Sequence, residues 1–368
     1  MLTSLMVALV LAAGTQGWRQ SALAMVGVLF GVSLYHASFG FASAYRHFIV
    51  RGDSRGILAQ LVMLGLATAL FAPLLISGVA RGAVSPLALQ AVFGAALFGV
   101  GMQLGSGCAC GTLYAIGGGS SVMLLTLSSF GAGSFLASLT SDSWRGLPKL
   151  QAVSLVDHWG WSGAVLQLVV LAVLGSLLWA WKRPLPQDSQ PFWPLGDWQA
   201  LLRGPWSTIT GALALALLSA LTLALAGRPW GVTWGFTLWT AKLAQGLGWD
   251  PASSAIWQQA RFAESLQASL LQDTTSVMNA GIVLGAAAAA AVAGRLSLRL
   301  PSSKRVCVAA LIGGGMMGYG AWLSYGCNVG AYFGGIASTS LHGWLWIVFA
   351  ILGTLLGVRL RPLFGLQN

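Results

Sequence analysis

Long apolar runs with their charges kept outside them constrain this chain more than any other feature. Residues 57–79, 122–139, 161–181 and 276–294 contain no charged side chain. Roughly twenty apolar residues cross the hydrocarbon core of a bilayer. Only 7 % of the 368 residues are charged, with a mean hydropathy of +0.77, against about 25 % charged in soluble domains. The sequence therefore predicts an all-α polytopic membrane protein. It is a single transmembrane domain over 1–368, with about nine transmembrane helices and the lipid bilayer as its surroundings.

The predicted spans fall in order at 22–45, 57–79, 86–107, 122–139, 161–181, 207–226, 230–247, 276–294, the segment leading to Gly326, and 341–358. Residues 1–17 are apolar without a leading basic group, which favours a span or partial span over a signal peptide. The stretch 253–271 is too polar to cross and reads as an amphipathic helix on the membrane surface. A Pro-rich linker, 184–205, separates a first half, 1–183, from a second, 206–368. The net charge of +11 does not indicate a nucleic-acid partner. Its basic residues gather in short patches: Arg46, Arg51, Arg55; Lys182, Arg183, Arg203; Arg295, Arg299, Lys304, Arg305; and Arg359, Arg361. Short basic loops mark the cytoplasmic side, so the C-terminus is expected there.

Two stretches repeat each other. Gly105-Ser-Gly-Cys-Ala-Cys-Gly111 and Ser324-Tyr-Gly-Cys-Asn-Val-Gly330 superimpose at an offset of 219. Gly107 meets Gly326, Cys108 meets Cys327 and Gly111 meets Gly330. Upstream, Gly94, Gly99 and Gly101 meet Gly313, Gly318 and Gly320. A weaker echo joins 27–35 to 231–239 at an offset of 204. The basic patches place the second motif in a hairpin entering from the cytoplasm and the first in one entering from outside. The chain thus reads as an inverted repeat, and matched breaks in two halves of a transporter point to the substrate site. The spans 207–226 and 230–247 cannot both be full crossings, so one is broken or re-entrant.

Each Gly-Cys precedes a short segment, 112–116 or 331–336, that can begin a half-helix. A helix N-terminus favours anions, and a neutral thiol adds a weak, polarisable donor. The candidate pathway residues are Cys108, Cys327, Gly107, Gly326, Gly111, Gly330, Cys110 and Asn328, with Thr112 and Tyr114 as further polar lining. Cys108 and Cys110 form Cys-x-Cys, but no ligand cluster accompanies them, so neither a metal nor a cofactor is expected. Cys307 reads as packing, and His36, His47 and His158 as interfacial. All eight acidic residues lie in loops or at span ends, which leaves no mid-membrane carboxylate relay. These features indicate passage of a small anion and not catalysis. The competing reading is a membrane thiol-redox or sulfurtransferase subunit, against which stands the lack of Cys-x-x-Cys.

The segments 101–114 and 326–346, with the tail 357–364, resemble the two signatures and C-terminal end of the YeeE/YedE family. The resemblance implies a bacterial inner-membrane protein, an hourglass-like inverted repeat with re-entrant short helices, and uptake of thiosulfate or a similar sulfur-containing anion. It further implies a cytosolic sulfur carrier of the TusA type as a possible partner. Two departures stand out. Gly40, between Phe39 and Phe41, occupies the place of a third family cysteine, and Cys110 stands where a small residue such as serine is expected.

Overall fold

The computed structural model describes residues 1–182 and 198–368; Arg183 and most of the Pro-rich linker lie outside the described residues. The first half contains α1 (Leu2–Gly14), α2 (Trp18–His36), α3 (Phe41–Arg51), α4 (Arg55–Ile76), β1 (Pro86–Ala88), α5 (Leu89–Leu104), α6 (Ala109–Gly117) and α7 (Val122–Leu139). A loop region follows with β2 (Lys149–Ala152), antiparallel to β1, and α8 (Leu155–Trp159). Then come α9 (Trp161–Trp181), α10 (Trp198–Arg203), α11 (Thr208–Ala226), α12 (Thr233–Gly246), α13 (Ala260–Gln267), α14 (Thr274–Val292) and α15 (Lys304–Leu323). A π turn (Asn328–Phe333), α16 (Gly334–Ala337) and α17 (Leu341–Leu360) complete the chain. Among the described residues nine helical stretches are long and apolar enough to cross a membrane.

The repeat is visible as an exchange of partners. α2 packs on α14, and its counterpart α11 packs on α4. α5 packs on α17, and α15 packs on α7. The outer helices follow the same rule, α1 leaning on α14 and α9 on α4. At the centre α5 and α15 cross each other antiparallel. A Cβ at Gly94 would lie 2.6 Å from the Gly320 carbonyl, and one at Gly101 2.7 Å from the Gly313 carbonyl. Under the offset of 219 these two contacts are images of each other. The repeated glycines thus let two backbones touch along a pseudo-two-fold axis, where a side chain would force them apart.

Three sequence expectations change. The run 22–45 is not one crossing. α2 ends at His36, Ser38 takes a left-handed φ of 44°, and α3 starts afresh at Phe41. Nothing in that run carries a charge or proline, so hydropathy alone could not show the break. The conflict between 207–226 and 230–247 resolves because α12 has 14 residues, about 21 Å at 1.5 Å per residue, too short for a core of about 30 Å. α12 and α3 are equivalent half-helices, so the echo of 27–35, in α2, in 231–239, which runs into α12, joins segments that are not counterparts. With both returning to the face they left, nine crossings alternate without contradiction. Finally, the apolar residues of 253–271 are turned onto the protein itself. α13 buries Phe262 and Leu266 among Trp234, Trp249, Trp257, Phe135 and Trp322. Trp257 Nε1 donates to Ser138 Oγ at 2.8 Å, and Lys242 Nζ donates to the Leu266 and Ala268 carbonyls at 2.7 Å. The amphipathic face expected to lie on the membrane surface is thus used on an aromatic cluster of the protein.

Charges divide the two ends. One end carries Arg51, Arg55, Arg299, Lys304 and Arg361, together with the residue Lys182 whose carbonyl accepts from Ser54 Oγ at 2.7 Å. Among the described residues Asp53 is the only acid on this basic face, and it is bound to Arg55 at 2.6 Å. The opposite face holds Gly146, the β1–β2 pair and α13.

Candidate functional site

The two Gly-Cys motifs adopt one backbone. Ser106 and Tyr325, equivalent residues before each break, both take left-handed φ values of 56° and 63°. Cys108 and Cys327 follow at φ −93° and −104° as N-caps of the next helical segment. Left-handed non-glycine residues cost of order 1 to 3 kcal/mol each and persist where surroundings fix them. Here Trp346 Nε1 donates to Ser324 Oγ at 2.9 Å, and that hydroxyl bonds the Gly320 and Gly326 carbonyls at 2.7 and 3.2 Å. The turn before Cys327 is thereby held from behind.

After the cysteines the copies diverge. The Thr112 N–H donates to the Cys108 carbonyl at 2.8 Å, opening a regular α-helix. In the second copy the Cys327 carbonyl accepts from both Ala331 and Tyr332, at 2.9 and 3.3 Å, opening a π turn. A π turn holds one more residue than an α turn. Beyond it the equivalence runs at 220: Gly119 at φ 92° matches Thr339 at φ 55°, and Ser120 matches Ser340. Tyr332 lies within this insertion. Its ring stacks over Trp346 at 6.3 Å and meets the edge of Phe41 at 6.1 Å.

All three predicted pathway cysteines are buried in one cluster with Phe41, Tyr45 and Tyr332. Cys108 and Cys110 Sγ atoms are 3.4 Å apart. The Cys108 sulfur is within reach of the N–H groups of Gly111 and Phe41. Cys327 Sγ accepts from the Val329 N–H at 3.4 Å, and the Gly330 N–H also faces it. Asn328 is fully buried; its Nδ2 approaches Met102 Sδ at 3.8 Å and its Oδ1 has no partner. Thr112 Oγ1 donates back to the Cys108 carbonyl at 3.0 Å, so it braces the helix. Tyr45, which the sequence reading passed over, donates to Gln60 Oε1 at 2.9 Å beside Tyr332. Cys307 sits at the start of α15, away from this cluster.

The predicted glycines do different jobs. Gly326 has φ 148°, and a Cβ there would lie 2.9 Å from the Ala331 nitrogen. Gly107 would meet only ordinary contacts at 3.8 Å, Gly111 would meet Cys108 Sγ at 3.6 Å, and Gly330 has open space. Only Gly326 is required by the backbone; Gly111 and Gly330 leave room beside the thiols.

A cavity opens on each side of this cluster. The larger, of about 750 Å³, enters from the Gly146 face and reaches Gly326 and Tyr325. Its wall carries Arg145, Arg228 and Arg261 against one acid, Asp273, whose carboxylate already caps α14 by accepting from Ser276 N and Oγ at 2.8 and 2.7 Å. The smaller, of about 310 Å³, enters from the basic face past Asp53, Arg55 and His47 and reaches Gly40 and Tyr114. Helix N-termini of α3, α6, α12 and the π turn approach the region between them from the two sides. Each carries partial positive charge of about half an elementary unit. No group of three or more His, Cys, Asp or Glu side chains arranged for a metal occurs among the described residues.

Half-helices meeting between two opposed vestibules define a membrane transporter built on an inverted repeat. The chain belongs to the family described as sulphur transport, whose signature matches residues 36–356. It is 28 % identical over 353 residues to the thiosulfate transporter TsuA of Spirochaeta thermophila, covering 89 % of this chain and 95 % of that one. It is also 34 % identical over 161 residues to the probable transporter YedE of Escherichia coli K12. That match spans 43 % of this chain and 39 % of the YedE length.

Proposed function

We propose that the protein carries thiosulfate, or a closely similar small sulfur-containing anion, inward across the bacterial inner membrane. The observation that carries this reading is the matched pair of Gly-Cys breaks lying between two vestibules. The arginine-lined cavity collects the anion on the outer side. Cys327, next to Gly326 at its floor, and then Cys108 offer polarisable thiols and backbone N–H groups along the constriction. Cys110, Asn328 and the glycines at 107, 111, 326 and 330 complete the pathway. The relative named as a thiosulfate transporter supports this choice of substrate.

The basic face is cytoplasmic in this proposal, by the excess of short-loop Arg and Lys, and the C-terminus lies there. An inside-negative potential opposes a dianion by about 2.3 kcal/mol per charge per 100 mV. With no carboxylate inside the predicted spans, the route is facilitated and made net inward by consumption in the cytosol. A TusA-type sulfur carrier is the proposed acceptor. Uptake of labelled thiosulfate by cells lacking other sulfur permeases is the deciding experiment. Expression of this chain should restore uptake, and cells that stay unable to accumulate label despite normal protein abundance would refute the assignment.

A further inference from the structure

Beneath the first Gly-Cys break, toward the basic face, two arginines share one glutamine and have no carboxylate. Arg361, near the end of α17, is 5 % exposed. Its Nη1 donates to the Gln103 carbonyl and to Ser106 Oγ, the latter at 3.3 Å. Its Nε and Nη2 donate to the Gln367 carbonyl at 3.0 and 2.5 Å. Arg46, on α3, approaches the same glutamine, with Nη1 3.4 Å from Gln103 Oε1. Its Nε is buried and unpartnered. Gln103 itself is fully buried, its amide N–H spent on the Ala42 carbonyl at 2.9 Å. The one described acidic side chain on this face, Asp53, is taken by Arg55, and the carboxylate of Asn368, one residue beyond Gln367, forms no ion pair with Arg46 or Arg361.

Arg361 is buried and Arg46 half-buried with its Nε inside the protein; guanidinium groups brought together there repel each other and lose hydration unless an anion joins them. The planar fork of arginine suits an oxyanion, which can accept two parallel N–H bonds. Ser106, whose hydroxyl already meets Arg361, stands two residues before Cys108 and holds one of the strained turns. The charge surplus therefore sits at the exit of the cysteine constriction.

We infer that Arg46 and Arg361, with Gln103 and Ser106, form an exit-side binding site for a small tetrahedral oxyanion of the thiosulfate or sulfate type. Its place on the route rests on the transport reading above; binding as such does not. An anion leaving Cys108 is received there before release to the cytosolic side.

The test uses the full chain purified in detergent. Its thermal midpoint is compared in millimolar sodium sulfate and in sodium chloride of equal ionic strength. The native protein should gain stability from sulfate, R19Q, at the exposed start of α2 and outside both vestibules, should keep the gain, and R46Q should lose most of it. R46K, which retains charge without the fork, should show a reduced gain and supplies the comparison should R46Q not be stable. A native midpoint indifferent to sulfate, or an undiminished gain in the Arg46 variants, overturns the site. In vesicles R46Q should slow thiosulfate uptake about tenfold, the loss of one charge-assisted bond; unchanged uptake removes the site from the route. If native protein transports no thiosulfate yet shows the Arg46-dependent sulfate gain, the transport reading falls and the site stands.

Discussion

The two Gly-Cys copies share a backbone and differ in what they hang on it. In the first, Cys108 begins an ordinary helix and has a second thiol at 3.4 Å. In the second, Cys327 begins a π turn that carries Tyr332 toward Phe41 and Trp346. The symmetry fixes where the cysteines stand, because glycine contacts between α5 and α15 set the axis. In the proposed route, direction and selectivity would come from the asymmetry, since a perfectly symmetric path presents the same chemistry to an anion from either side.

The sharpest way to break the comparison is at the glycines. Gly326→Ala should abolish uptake and lower the thermal midpoint, by destabilisation of about 2 kcal/mol or more from a side chain at a disallowed φ. Gly107→Ala, its equivalent, should fold and retain much of its activity because its Cβ has room. Equal loss in both would mean that the turns are the same in function after all. Next come the thiols: Cys108→Ala and Cys327→Ala should each slow thiosulfate uptake about ten- to a hundredfold at matched abundance, while Cys307→Ala transports normally. Native rates in both pathway variants would reduce these cysteines to packing residues.

Tyr332→Phe should change uptake about several-fold, since it removes one buried hydroxyl facing Tyr45 and keeps the ring. A Tyr332→Ala variant with wild-type flux and unchanged midpoint would show that the inserted residue has no part in the constriction. Smallest is Cys110→Ser, expected to alter the rate by about twofold because it trades the donor next to Cys108 for another. A loss as large as that of Cys108→Ala would make the pair, and not Cys108 alone, the working unit.

Much of this arrangement was legible in the sequence. The offset of 219, the uncharged runs and the basic patches led to an all-α inverted repeat and brought Cys108, Cys110 and Cys327 into one candidate site. What stayed hidden was local. A single extra residue inside the second copy shifts the register to 220 without disturbing the Gly-Cys match, so the π turn left no trace in the motif. The break before Phe41 lies in an apolar run where Gly40 is the sole hint, and a hydropathy window averages over it. Arg46 looked like the start of a cytoplasmic patch; only the return of α3 and the end of α17 bring it to Gln103. The amphipathic character of 260–267 was readable, but its partner was not, since aromatic side chains from distant segments offer the same apolar surface that lipid does.

The exchange of partners between the halves carries a consequence for biogenesis. As the chain enters the membrane, α2, α4 and the break before Cys108 are in place before α14, α11 and α15 have been made. During that interval the strained turn at Ser106 and the open end of α6 have lipid and water as neighbours in place of protein. Until the second half follows, α2, α5 and α7 lack the surfaces of α14, α15 and α17 that they pack against, so the early half on its own cannot close its core.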